Sequence, residues 1–310
     1  MSSASASGPV VVVEGLRKDY GDLRAVDGLS FTIEAGEVFA LLGPNGAGKT
    51  TTVEILEGHR RRTGGSVTVL GFDPETGGRA YRERIGIVLQ EAGFDEEFTV
   101  RELVTMYSTL YPRRRDVDEV IERVGLAEKA TARTKTLSGG QRRRLDLALG
   151  LVGAPELLFL DEPTTGFDPS ARRRAWDLVA SLRELGTTIV LTTHYMEEAE
   201  HLADRVAVVR AGTLVALDTP DNLVRKEGAE AVISFDLPDG ITPQDLPTIG
   251  VGAPRTHGTT VDLPSAHPTH DLNALTEWAL ARGIHLEGLS MGRPTLEDVY
   301  LDLTEEAPRE

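Results

Sequence analysis

Cysteine is absent from this 310-residue chain, which excludes disulfides, thiolate metal sites and cysteine nucleophiles and leaves the redox compartment unmarked. Also missing is any apolar run near the roughly 18 residues that a membrane-spanning helix needs. Positive charge is in short supply: 33 Lys and Arg face 49 Asp and Glu, a formal net charge of −16. That balance argues against a general affinity for nucleic acid or anionic lipid, so no nucleic-acid partner is expected. The first eight residues, MSSASASG, hold neither a charged head nor an apolar stretch. They read as a disordered tail and not as a signal peptide. No tandem repeat and no heptad run is present. The expected location is cytoplasmic, with any membrane role coming through another chain.

What remains is ordinary globular material, 40% hydrophobic and 26% charged, long enough for one large domain and one small one. From residue 9 to about 227, strand patterns alternate with helix patterns. VVVEGL and LSFTIEAGEVFALLG read as strands, with a turn at Glu34–Glu37. GKTTTVEILEG reads as a helix stopped by Gly58. RIGIVLQ, ELLFLDEP and TTIVLTTH are apolar runs of the buried parallel-strand type. Between them, about residues 95–150 are mostly helical and form a subdomain. The implied fold is α/β, with ligands at the carboxyl ends of the strands. Residues 228–310 read as a small α+β accessory domain, rich in Pro, Gly and Thr from Gly228 to His270, with short strands and two helices.

The strongest motif is GPNGAGKT. Its Gly43, Pro44, Asn45, Gly46, Ala47, Gly48, Lys49 and Thr50 fit G-x-x-x-x-G-K-[ST] between an apolar strand and a helix, with Thr51 following. Glycines let backbone N–H groups converge on phosphate, and the helix start adds partial positive charge. Lys49 reaches the β- and γ-phosphates, and Thr50 offers its hydroxyl to Mg²⁺. A nucleotide with Mg²⁺ is therefore the expected ligand. Asp161 ends a buried strand, where a lone carboxylate is costly and Mg²⁺ is a natural counter-charge. The adjacent Glu162 points elsewhere and is free to activate a water. Gln90 and His194 end two further strands on the ligand side; the amide suits Mg²⁺ or water, and the imidazole suits the γ-phosphate.

A second anion grip lies about 90 residues later, in TKTLSGGQRRRLDL. Ser138 and Gln141 form a capping box at a helix start. That accounts for the serine and the glutamine but less well for Gly139 and Gly140, each costly inside a helix. Bare amides at a helix start suit an approaching phosphate. Arg142, Arg143 and Arg144 read equally as a solvated basic face or as specific contacts.

In order and spacing, Gly43–Thr50, Gln90, LSGGQ at Leu137–Gln141, LLFLDEP at Leu157–Pro163, GFDP at Gly166–Pro169 and His194 resemble the ABC-type ATPase domains. The resemblance covers about residues 10–225. It implies a RecA-like core with an antiparallel β subdomain and a helical subdomain. Tyr20 would stack on adenine. Ser138–Gln141 would meet the γ-phosphate held by a second copy, giving a head-to-tail homodimer with two composite ATP sites and Asp168 at the seam. Phe167 stands where the family usually has Leu. LSGGQRRRLDLALGLV and GRPTLEDVYLDLTEE resemble the ATP-binding subunits of bacterial drug and antibiotic exporters of the daunorubicin-resistance type. In that group the integral membrane subunit is a separate polypeptide, so this chain would be peripheral on the inner face of the cell membrane. The alternative is a soluble ABC ATPase of translation, repair or assembly. Translation types carry two such domains, and repair types a long coiled coil or cysteine-bound zinc; neither is present.

Overall fold

The computed structural model describes residues 8–89, 93, 97–225, 231–238, 240–251 and 253–305. The chain divides into two units, residues 1–219 and 220–310.

The first unit opens with a long antiparallel pair, β1 (Pro9–Tyr20) and β2 (Leu23–Glu34). β1 buries Val11, Val13 and then Leu16. The three-residue step is allowed by a register shift between Val13 and Leu16, where Gly15 has φ of 57°. Such a bulge resets which side chains face inward. Tyr20, which as an isolated residue reads as part of a turn, is the last residue of β1.

Next come β3 (Val38–Leu42), α1 (Lys49–Leu56), β4 (Gly64–Val69), α2 (Gly78–Arg82) and β5 (Ile85–Val88). The helical subdomain follows with α3 (Val100–Ser108), α4 (Val117–Arg123) and α5 (Gly139–Leu151). Each has a side-chain cap in the preceding residue: Thr99 with Glu102, Asp116, and Ser138 with Gln141. These caps satisfy N–H groups that a helix start leaves without partners. The core resumes with β6 (Leu157–Asp161), α6 (Pro169–Arg183), β7 (Thr188–Thr193), α7 (Met196–Leu202), β8 (Arg205–Arg210) and β9 (Thr213–Asp218).

The central sheet runs β5-β6-β7-β3-β8-β9. It is parallel except for the β8–β9 hairpin. β3 and β7 are buried along their whole length, as strands covered on both faces must be. The antiparallel sheet β2-β1-β4 shares one core with it; Phe31 stacks on Phe39 with ring centroids 5.2 Å apart. The carboxyl ends of β3, β6 and β7 lie side by side, because Leu42 pairs with Thr193 and Asp161 with Thr192. That alignment sets the functional residues together.

The second unit holds α8 (Pro220–Arg225), β10 (Ala231–Asp236), β11 (Arg255–His257), β12 (Thr260–Ser265), α9 (Pro268–Ala281), β13 (Ser290–Gly292) and α10 (Leu296–Glu305). Its antiparallel sheet runs β11-β12-β10-β13. Ile233, Phe235, Val261 and Leu263 pack on Leu275, Trp278 and Ala279 of α9. Of the stretch IHLEGLSMG, only its last three residues are strand. No helix among the described residues is long and apolar enough to cross a membrane.

Candidate functional site

The loop after β3 turns sharply through Gly46 and Gly48, at φ of 79° and 97°. A Cβ at Gly48 would sit 2.4 Å from the carbonyl oxygen of Ala25, and one at Gly43 2.2 Å from that of Val209. Both positions therefore require glycine. Gly48 caps α1 in the left-handed conformation with no side-chain acceptor, so the first N–H groups of the helix are left for an external anion. Lys49 is buried. Its Nζ donates to the carbonyls of Gly43 at 2.8 Å and Pro44 at 3.1 Å, which holds the loop in a cradle. Ala47 is buried under it and donates its N–H to Pro44. Burial lowers the Lys49 pKa, while the carboxylates of Glu162 and Asp161 pull it back up. A phosphate arriving here would restore the charge balance.

Tyr20, Asn45, Gly46, Gly48, Lys49, Thr50, Thr51 and Glu162 line one cavity of about 600 Å³, together with Leu23, Ala25 and Arg60. The volume suits a nucleotide. Arg60 is a residue that sequence reasoning missed. Its guanidinium lies 5.3 Å from the Tyr20 ring centroid, and Lys18 lies 4.8 Å from it. The basic run at residues 60–62 was the available signal.

Asp161 and Glu162 diverge, but not through strand alternation: β6 ends at Asp161, and Glu162 lies in the bend beyond it. Thr192 of the neighbouring strand donates its hydroxyl to Oδ1 of Asp161 and accepts the Glu162 N–H at 3.0 Å. Glu162 adopts φ of 44°, an uncommon conformation for a non-glycine residue that turns its carboxylate away from the strand. Its Oε1 lies 3.3 Å from Nδ1 of His194, and its Oε2 accepts from the Thr165 hydroxyl at 2.9 Å. The hydroxyl of Thr50 and the carboxylate of Asp161 are hard oxygen donors of the kind Mg²⁺ takes. Gln90 lies outside the described residues.

Ser138 accepts from the N–H of Gln141, and Oε1 of Gln141 in turn accepts from the Ser138 N–H at 3.0 Å. Gly139 and Gly140 face open space, with nothing within 4 Å of where a Cβ would stand. Ser138, Gly140 and Gln141 line a separate cavity of about 250 Å³ with Phe167 and Arg174. None of the residues lining the larger cavity comes from Ser138–Gln141. The three following arginines do not share one role. Arg142 is exposed, whereas Arg143 is half-buried and bonds the carbonyls of Asp161 and Pro163; this departs from a uniformly solvated basic face. Asp168 caps α6 through the N–H groups of Ser170 and Ala171, each at 2.9 Å.

A second network lies behind the site. Glu198 of α7 is fully buried and accepts from the Thr164 hydroxyl at 2.8 Å and the Trp176 indole at 3.1 Å. Burial raises its pKa, with these hydrogen bonds opposing. It ties the segment after Glu162 to the helix after His194.

Comparison with known proteins agrees with this geometry. A family model described as ABC transporter matches residues 26–165. Another, described as ABC transporter domain-containing protein-like, C-terminal domain, matches residues 231–295. Daunorubicin resistance ATP-binding protein DrrA3 of Streptomyces coeruleorubidus is 41% identical over 309 residues, which is 95% of each chain. Linearmycin resistance ATP-binding protein LnrL of Bacillus subtilis (strain 168) is 35% identical, covering 94% of this chain and 97% of that one. Nod factor export ATP-binding protein I of Rhizobium meliloti (strain 1021) is 40% identical, covering 96% and 89%. A solved ATP-binding subunit of an ABC transporter superposes with a TM-score of 0.63 at 24% identity, over 71% of this chain and 93% of that one. With relatives at this identity over nearly its whole length, the chain belongs to the ABC transporter family as an ATP-binding, ATP-hydrolysing subunit.

Proposed function

We propose that this protein powers an exporter as a homodimer in which two copies clamp two ATP molecules head to tail, driving a separate membrane-spanning subunit. The solute class is a drug, an antibiotic or another hydrophobic compound, in keeping with the resistances and the Nod factor export that the relatives' names carry. The chain would then sit on the inner face of the cell membrane through that partner. One observation carries the clamp: the two phosphate grips open into different cavities, and no signature residue lines the cavity of Lys49 and Glu162. A second copy is the natural source of the missing lid.

In this reading Tyr20 offers its ring to adenine. The N–H groups of Gly46–Thr51 cradle the phosphates, and Lys49 exchanges the carbonyls of Gly43 and Pro44 for β- and γ-oxygens. Thr50, Asp161 and Gln90 would hold Mg²⁺, which would supply charge neutralisation at the phosphates. Glu162 accepts the proton of the attacking water, and His194 beside it steadies the carboxylate and contacts the γ-phosphate. Ser138, Gly139, Gly140 and Gln141 close on the γ-phosphate of the partner's nucleotide, so hydrolysis weakens the clamp. The accessory unit at the carboxyl end packs as a small domain of its own.

The test uses Glu162→Gln, which keeps the side chain's shape and removes the base. With Mg-ATP it is expected to elute as a dimer and to turn over negligibly; with ADP it is expected to elute as a monomer. A variant that stays monomeric at saturating Mg-ATP overturns the clamp.

A further inference from the structure

Arg143 stands on α5, five residues after the cap Ser138, and so about one and a half turns along the helix that presents the signature. Its guanidinium spans out of the helical subdomain. Nη2 donates to the carbonyl of Asp161 at 3.0 Å, Nε donates to that of Pro163 at 3.2 Å, and Nη1 donates to that of Leu89. Asp161 and Pro163 flank Glu162, and Leu89 directly precedes Gln90. Three backbone carbonyls from two strand ends thus converge on one side chain. Only a planar fork with several fixed donors can meet such a set; an ammonium group is a point charge. The guanidinium is drawn in despite the cost of burial, with the charges of Asp146, Asp161 and Glu198 opposing that cost. Asp146, one turn further along α5, is itself buried.

We propose that Arg143 is a positioning residue, a tie that makes the placement of the signature segment and the placement of Asp161 and Glu162 one mechanical variable. The proposal rests on the clamp reading above. When the partner's γ-phosphate pulls on Ser138 and the amides after it, α5 moves with its strand ends or breaks these bonds. Lid closure in one copy is thereby reported to the carboxylates of that same copy's own site. Arg143 is absent from the lining of the cavity that holds Lys49 and Glu162, and it shares the smaller cavity with Ser138, Gly140 and Gln141.

The experiment compares wild type, Arg143→Met and Arg143→Lys in steady-state ATP hydrolysis, in monomer affinity for a fluorescent ATP analogue, and in thermal melting. Arg143→Met is expected to lower kcat by about tenfold or more while the analogue's affinity changes by less than about twofold. Arg143→Lys, which can reach some of the carbonyls, is expected to recover part of kcat. A purely structural arginine gives a different pattern, in which affinity and melting temperature fall together and kcat per folded molecule is unchanged; that result overturns the proposal. Should the methionine variant not fold, the lysine variant decides: a lowered kcat at unchanged affinity supports the tie, and wild-type kcat refutes it. A cycle with Ser138→Ala adds a second reading. Losses in kcat that multiply independently count against the tie, and losses that overlap support it. Glu162→Gln run in parallel separates the two levels. If it forms the Mg-ATP dimer and Arg143→Met retains wild-type kcat, only the tie fails; if it stays monomeric, the clamp itself fails.

Discussion

Oε1 of Glu162 lies 3.3 Å from Nδ1 of His194, although the two residues end different segments of the chain. The contact exists because β6 and β7 are neighbours in register, Asp161 opposite Thr192. His194→Ala leaves Glu162 without this neighbour and, in the function proposed above, gives the γ-phosphate one contact fewer. A loss of about 10²-fold in kcat is expected, with nucleotide affinity little changed, in a steady-state ATPase assay. Wild-type turnover would remove His194 from the mechanism.

Lys49→Ala takes away the ammonium that braces the Gly43 and Pro44 carbonyls. Charge-assisted contacts to phosphate are worth more than neutral ones, so affinity for a fluorescent nucleotide is expected to drop by about tenfold or more. Titration of the purified variant checks this, and an unchanged affinity contradicts the phosphate assignment.

Gly48→Ala meets two obstacles at once, a φ of 97° and an oxygen 2.4 Å from the new methyl group. The backbone has to shift, which is expected to cost roughly 1–3 kcal/mol of stability and most nucleotide binding. Gly139→Ala is the control: its direction is open, so the fold is expected to tolerate it. Equal melting temperatures for the two variants would contradict the steric argument.

Ser138→Arg places a bulky cation at the start of α5, outside the cavity lined by Lys49. Monomer binding of nucleotide is expected to match wild type while hydrolysis falls to background. Retained hydrolysis would contradict a lid shared between copies.

Glu57 follows α1 and is buried; its pKa is pushed up to about 8, first by burial and then by the charges of Asp161 and Glu54. His59 Nδ1 is 3.2 Å from its Oε2. Since the folded value lies above the unfolded one of 4.5, the native state holds an extra proton between them. Stability therefore falls as pH rises from about 4.5 through about 8. Glu57→Gln is expected to flatten that slope and to be the more stable form above about pH 8. Urea melts of the nucleotide-free protein across this window check the sign. Parallel pH profiles for variant and wild type would refute it.

Much of this site was legible because its motifs are properties of one contiguous stretch. A glycine-rich turn between a buried strand and a helix announces itself through GPNGAGKT, and the paired acids follow from LLFLDEP. The capping box of Ser138 and Gln141 was likewise local. Arg143 was not legible, since its acceptors are carbonyls 18 to 54 residues away, and a carbonyl leaves no mark in sequence. Thr192 was hidden for a related reason: its role depends on which strand lies beside β6. Gly15 shows the same limit in the fold, because the bulge it permits extends β1 far beyond the apolar stretch that suggested a strand.

The left-handed twist at Glu162 is tolerated only because neighbouring bonds hold it there. Glycine would relax that kink at no steric cost. A form with glycine at position 162 is therefore expected to be sturdier than the working enzyme while doing no chemistry. Mutations that disable this protein need not weaken it, and abundance in a cell would be a poor guide to whether its engine still turns.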